Sequence, residues 1–380
     1  MDLPTDFKAF LQEIRPTENQ RSDLQTGHKT LRDRLNADEK LNKCLVSDFL
    51  QGSYKRSTAI RPKGGRRSDV DIIVVTKLSE QEYTPARAMD VFTSFLDKHY
   101  KGKWWQQGRS LGIELSYVEL DLVLTSAPSE AQTGILRSEA LSTDDDIEAA
   151  QDWRLHRSWI GLDARRFRGD ARALLAEAKR EAEWKAEPLR IPDRDANTWE
   201  PTHPIAQITW TRDKNDRTNK HFVNVVKAIK WWRVEKHEEP THPKGFPLER
   251  LIGECCPDGI ESVAEGVVKT LERIVSEYAF TVLAGGKPSL PDYGVSTHDV
   301  FKRISAEDFK RFYEQVKDGA ALARRAYDSQ DRMESGNLWR ELFGNKFPKP
   351  PENGGGSGSS GRGGYTPPTG PAVPGSGRFA

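Results

Sequence analysis

Apolar residues recur along the chain in two rhythms. Phe7, Phe10, Leu11 and Ile14 fall on one side of a short amphipathic helix over Asp6–Ile14. Leu24, Leu31, Leu35 and Leu41 repeat at roughly helical spacing and predict a second helix from about Thr17 to Leu45, long enough to act as a spine along two lobes. VDIIVV, Val70–Val75, is a continuous apolar run and predicts a buried strand. Pro85–Tyr100 reads as a helix with Met89, Phe92, Phe95 and Leu96 inward. Two strand-like runs follow, Gly112–Leu115 and Tyr117–Leu124, the second alternating apolar residues with Glu119 and Asp121.

Beyond these the pattern turns helical. Asp144–Glu187 is charge-rich and reads as helix, most clearly in ARALLAEAKREAEW. Pro188–Pro204 carries four prolines and reads as a connection between lobes. Helices are predicted at His221–Glu235, Leu248–Cys256, Ile260–Ala279 and Ala306–Asp328, with Leu338–Phe347 as the last packed element. Gly, Ser and Pro then dominate, and such a tail buries too little apolar surface to offset its ordering entropy. The pattern predicts an α+β chain: a sheet-bearing lobe with a spine helix over 1–200, a helical lobe over 201–348 and a disordered tail over 349–380. No internal repeat is visible.

Composition narrows the class. Lys plus Arg total 58 against 57 for Asp plus Glu, so the chain is not a basic nucleic-acid coat, and no long nucleic acid is expected as a partner. Ten Trp and fifteen Phe provide large core anchors. Three cysteines without framework spacing point to a reducing compartment. MDLPTDFKAFLQEI has no signal-peptide pattern, and no run approaches ~18 apolar residues. The expectation is a cytoplasmic protein without a membrane partner.

The candidate chemistry lies in QGSYKRSTAIRPKGGRRSDVDIIVV. Asp69 and Asp71 are two apart at the start of the apolar strand, so their side chains share a face. Two carboxylates there repel unless a cation balances them. Asp121 stands in a second strand between Leu120 and Leu122. Three carboxylates converging from two strands can hold a pair of Mg²⁺ ions, one for an attacking hydroxyl and one for a triphosphate. Gly52 lets the backbone approach a phosphate, and Ser53 offers hydroxyl and amide donors to it. Ser57 and Thr58 read as helix caps or phosphate contacts. Arg61 and Lys63 read equally as phosphate ligands and as a solvated basic loop.

Gly-Ser, then DxD entering a strand, then a later strand Asp, resembles the polymerase-β-type nucleotidyltransferase superfamily. GSYKRSTAIRP with SDVDIIVV resembles its bacterial cGAS/DncV-like branch and, more distantly, oligoadenylate synthases, although the fifteen residues between Ser53 and Asp69 exceed the usual spacing. WEPTHPIAQITW resembles the segment linking the lobes, FPLERLIGECC a core helix, LPDYGVSTHDV a turn bearing an Asp, and LWRELFGNKFP the closing element. HFVNVVKAIKWW resembles the helix whose lysine, here Lys230, reaches the triphosphate.

The resemblance implies a bilobal polymerase-β-like core. It also implies an antiphage enzyme that makes a cyclic di- or trinucleotide from ATP and other NTPs with two Mg²⁺, or Mn²⁺, on Asp69, Asp71 and Asp121. It further implies a regulatory activator protein and, from the tail, a ubiquitin-like E1/E2-type partner acting on the C-terminus at Ala380. Two other readings stand beside it: a linear-oligonucleotide synthase or a transferase acting on RNA or protein, and a tail-conjugated interaction protein. Two rival sites are set against these. His237, His242, Cys255 and Cys256 crowd as zinc ligands do, but the adjacent cysteines point different ways on a helix. Trp104–Trp105 could stack bases, although such pairs usually belong to cores.

Overall fold

The computed structural model describes residues 1–126, 188–236 and 240–351. The predicted helix over Asp144–Glu187, His237 and the tail from 352 onward lie outside the described residues. The chain divides into a compact unit, Met1–Pro350, and a second unit, Pro351–Ala380. The described helices and strands all belong to the first.

α1 (Pro4–Ile14) and α2 (Glu18–Ala37) open the chain. A reciprocal cap starts α2: the Thr17 side chain accepts from the Gln20 amide, and the Gln20 side chain accepts from the Thr17 amide. The helix ends eight residues sooner than its leucine spacing predicts. The Asp38 carboxylate accepts from the amides of Lys40 and Leu41 at 3.0 Å, drawing the backbone out of the helix. Leu45–Gln51 then forms a strand, β1. A four-residue helix, α3 (Gly52–Lys55), and a loop lead into β2 (Ser68–Thr76). The helix predicted over Pro85–Tyr100 is two, α4 (Pro85–Asp90) and α5 (Thr93–Tyr100), because the Thr93 hydroxyl donates to the Asp90 carbonyl. β3 (Trp104–Gln106), β4 (Leu111–Glu114) and β5 (Val118–Ser126) follow.

The proline-rich connection is a hairpin, β6 (Leu189–Asp193) and β7 (Thr198–Thr202). Its prolines are tolerated because, among the described residues, β7 pairs only with β6, and β6 meets β5 only at Arg190 opposite Ser126. The rest is helical: α6 (Pro204–Arg217), α7 (Phe222–Lys236), α8 (Gly245–Cys255), α9 (Val263–Leu283), α10 (Ala306–Asp328) and α11 (Arg332–Phe343).

The sheet runs β1-β2-β5-β4-β3, with β2 and β5 parallel and its other pairs antiparallel. Its two faces are unequal. Val70, Ile72 and Val74 with Leu120, Leu122 and Leu124 pack under α2, α4 and α5 in a large core. Ile73 and Val75 join only a small cluster with Val46, Phe49 and Leu189. By strand alternation Asp69, Asp71 and Asp121 lie on this second, thinly covered face.

The helices α7 to α11 form their own core, and α1 belongs to it. Phe7 meets Trp339, Phe343 and Phe347 edge to face, and Phe10 stacks on Phe343. α2, only four residues later in the chain, packs on the sheet.

Candidate active site

Strand register builds the acidic site. Asp71 of β2 lies opposite Gln51 of β1 on one side and Asp121 of β5 on the other. Asp69 lies opposite Glu119. The three predicted acids therefore share one face of two adjacent strands, and the Gly52–Ser53 turn begins one residue beyond Asp71's other neighbour.

Gly52 is fixed by this geometry. Its φ is +76°, and a Cβ there would stand 1.7 Å from Asp71 Oδ2. The backbone of the turn thus lies against the carboxylate, at a distance only glycine allows.

The electrostatics describe an uncompensated acidic cluster. Asp71 is pushed up to about 7, first by burial and then by Asp69 and Asp121. Asp121 is pushed up to about 6, first by burial and then by Asp69. Gln107 donates through Nε2 to Asp121 Oδ1 at 3.0 Å, and the Ser110 hydroxyl donates to the same oxygen at 3.5 Å. Among the described residues no three His, Cys, Asp or Glu side chains already form a metal cage. The donor set nonetheless suits a hard dication: three carboxylates on one face of two adjacent strands, two of them, Asp71 and Asp121, raised in pKa by burial and by neighbouring carboxylates, and a glycine backbone alongside.

The basic loop between Ser53 and Asp69 faces protein carboxylates. Arg56 donates to Glu249 of α8 at 3.0 Å, with both side chains buried. The Thr58 hydroxyl donates to the other Glu249 oxygen at 2.9 Å, so Thr58 ties two halves of the molecule rather than capping a helix. The helix at this turn, α3, precedes Ser57 and Thr58. Lys63 pairs with Glu235 at 2.6 Å, Arg61 lies 3.7 Å from Glu13, and Arg67 pairs with Glu114.

Lys230 reaches the same knot. Its ammonium donates to Glu249 at 2.9 Å and to the Thr58 carbonyl at 3.0 Å. Burial would raise the Glu249 carboxyl, yet Arg56 and Lys230 hold it down at about 2. Lys230 thus stands two hydrogen bonds from Ser53, through Thr58, whose amide donates to the Ser53 carbonyl at 2.9 Å, and it shares Glu249 with Arg56.

A second relay runs from β1 into the helices. Gln51 donates to Gln207 at 3.4 Å, and Gln207 donates to Asp292 at 2.7 Å, the Asp of the LPDYGVSTHDV turn. Cys255 and Cys256 are buried, with their thiols pushed up to about 12 and about 11 by that burial. Trp104 donates to Asp97, and the exposed Trp105 covers Gly112 on the edge of the sheet.

Sequence reasoning singled out the acids, the glycine, the serine and the lysine. It missed Gln107, Ser110 and Glu249. The first two stand in a short turn before β4, which no spacing rule marks. Glu249 could have been suspected, since it interrupts the apolar face of FPLERLIGEC.

The Second Messenger Oligonucleotide or Dinucleotide Synthetase domain matches residues 1–126. A probable cyclic AMP-AMP-GMP nucleotide synthase from Salmonella paratyphi B is 49% identical over the whole of both chains. A cyclic AMP-AMP-GMP synthase from Enterobacter hormaechei subsp. hoffmannii (strain UCI 50) is 47% identical, again over the whole of both. A solved complex of E. coli MS115-1 CdnC with HORMA-deltaN shares the fold, with a TM-score of 0.60 and 14% identity over 91% of this chain and 99% of that one. Among the described residues no helix is long and apolar enough to cross a membrane.

Proposed function

The chain belongs to the bacterial cGAS/DncV-like nucleotidyltransferases, which make cyclic oligonucleotide second messengers from NTPs in antiphage defence, and from that premise we propose that it makes a cyclic trinucleotide of two adenylates and one guanylate. Two relatives close to half identical along their full length, both named as cyclic AMP-AMP-GMP synthases, support that product. The observation that carries the site is the register of Gln51, Asp71 and Asp121, which sets the Gly52–Ser53 turn beside paired acids.

Triphosphates bind between the sheet-bearing part, 1–200, and the helical part, 201–348. Ser53 donates to phosphate oxygens, and Gly52 lets the backbone come close enough to do so. Lys230 leaves Glu249 for the triphosphate, an exchange of one anion for another. Asp69, Asp71 and Asp121 would hold two Mg²⁺. When bound, the ions neutralise the triphosphate and its pyrophosphate and activate the attacking hydroxyl. Asp121 orients the acceptor ribose hydroxyl and takes its proton, while Gln107 and Ser110 fix the carboxylate's angle. The hydroxyl oxygen bonds to the α-phosphorus as the bond to pyrophosphate breaks. Two further transfers, the last one intramolecular, close the ring.

The enzyme works in the cytoplasm in this reading, in keeping with its three free cysteines. A regulatory partner keeps it quiet before infection. Joining of the tail to a ubiquitin-like E1/E2-type partner through Ala380 rests on the tail's sequence alone.

Mass spectrometry of products from ATP, GTP and Mg²⁺ tests the proposal. A phosphatase-resistant trinucleotide is expected, and Asp69→Asn with Asp71→Asn should abolish both it and pyrophosphate release. A phosphatase-sensitive product would mean linear synthesis, and undiminished turnover of the double variant would remove the acids from the site.

A further inference from the structure

A cavity of about 390 Å³ is walled by residues other than the site's three aspartates. Its walls come from the α1–α2 junction, from residues 54–61 of the loop and from α7. None of Asp69, Asp71, Asp121, Gly52 or Ser53 lines it. The volume lies at the small end of the range of ligand pockets, fit for a molecule about the size of one nucleotide.

Its lining is cationic. Arg15, Arg21, Arg61 and Lys227 face it, against the single carboxylate of Glu18. Three contacts of the lining arginines are long: Arg61 lies 3.7 Å from Glu13, Arg21 3.9 Å from Glu18, and Arg15 donates to Asn224 at 3.5 Å. The Glu249 knot, by contrast, holds its partners at 2.9–3.0 Å. Arg61 also donates through Nε to the Arg15 carbonyl at 3.1 Å, which fixes its place in the wall. Lys227 is 3% exposed, so its charge is held in the wall rather than in solvent.

A second, independent feature points to a ligand. Ser57 lines the cavity and is 2% exposed, and its hydroxyl has no hydrogen-bond partner among the described residues. A buried hydroxyl left unmade costs about 1–3 kcal/mol, and buried polar groups are almost always satisfied. An acceptor in the cavity would satisfy it.

We propose that this cavity binds a multiply phosphorylated small molecule, with Arg15, Arg21, Arg61 and Lys227 as its counter-charges and Ser57 as a donor. Phosphate fits better than an apolar or cationic guest, because several cations converge and guanidinium forks match phosphate oxygens. The site is distinct from that of the NTP, yet Tyr54 and Ser57 share a turn with Gly52 and Ser53. Binding there does not depend on which groups hold the metal.

Inorganic tripolyphosphate, titrated calorimetrically into the full chain in EDTA, is the test. Binding to one site is expected, with the affinity falling as salt rises. Arg21→Glu should weaken it at least tenfold, and Ser53→Ala, at the NTP site, should leave it unchanged. Arg21 lies at the surface of α2, so its reversal leaves the fold intact, which a thermal melt checks. Lys227→Met gives a second reading from the buried side. Absence of binding, or binding insensitive to Arg21→Glu, would overturn the proposal. So would binding lost with Ser53→Ala alone, which would place the polyphosphate in the NTP site.

Discussion

Gly52 and Asp71 illustrate how narrowly single residues are constrained. A methyl group at 52 has no room beside the Asp71 carboxylate, and its backbone angle disfavours any L side chain. Gly52→Ala should lower kcat by about 100-fold or more and cost about 1–3 kcal/mol in a denaturant melt. In the proposed mechanism Gln107 acts one step back from the chemistry, through its bond to Asp121. Gln107→Leu frees Asp121 to turn, so kcat should drop about tenfold with KM nearly unchanged, measured by pyrophosphate release. The acids were legible because two-residue spacing in a strand fixes a shared face. Gln107 was not, because only the folded turn brings it within 3.0 Å of Asp121.

At the scale of elements, the decisive contact joins the loop after α3 to α7 and α8. Removing one partner of a buried ion pair leaves the others uncompensated, which costs about 3–5 kcal/mol. Glu249→Gln should therefore destabilise by about that much, seen as a lower urea midpoint, while Thr58→Val costs about 1 kcal/mol. Helical periodicity found α7 to α11 because each presents an apolar stripe to a common core. It failed where local polar groups overrode it. Asp38 ended α2 early, and Leu45–Gln51, of which only Leu45 falls within the predicted helix and the rest belongs to no predicted element, is the strand that carries Gly52 to Asp71. The hairpin at Leu189–Thr202 was hidden by prolines that an edge strand tolerates.

Across the whole molecule, the acids set fold stability against function. Asp71 is raised from 3.8 to about 7, so between those pH values the folded protein holds a proton that the unfolded chain has shed. Stability from this group is therefore lost as pH rises through the window. In EDTA at pH 8, Asp71→Asn should melt higher than the parent by about 2–5 °C. The gap should close at pH 4, and the variant should be inactive throughout. Metal binding must displace the same proton, so titrations should show weaker Mg²⁺ affinity below pH 7.

The path of α1 has a consequence for the order in which the protein matures. Asp69, Asp71 and Asp121 leave the ribosome early, whereas the aromatic partners of Phe7 and Phe10 lie at 339–347. At roughly 5–20 residues per second, the roughly 300 intervening residues take about 15–60 s to emerge. Throughout that time the first helix has no place to dock. The Glu249 knot is equally incomplete until α8 arrives. A nascent or prematurely terminated chain would carry the acids without the helical half that proofreads their assembly. Docking of the first helix is thereby confined to chains translated through residue 347.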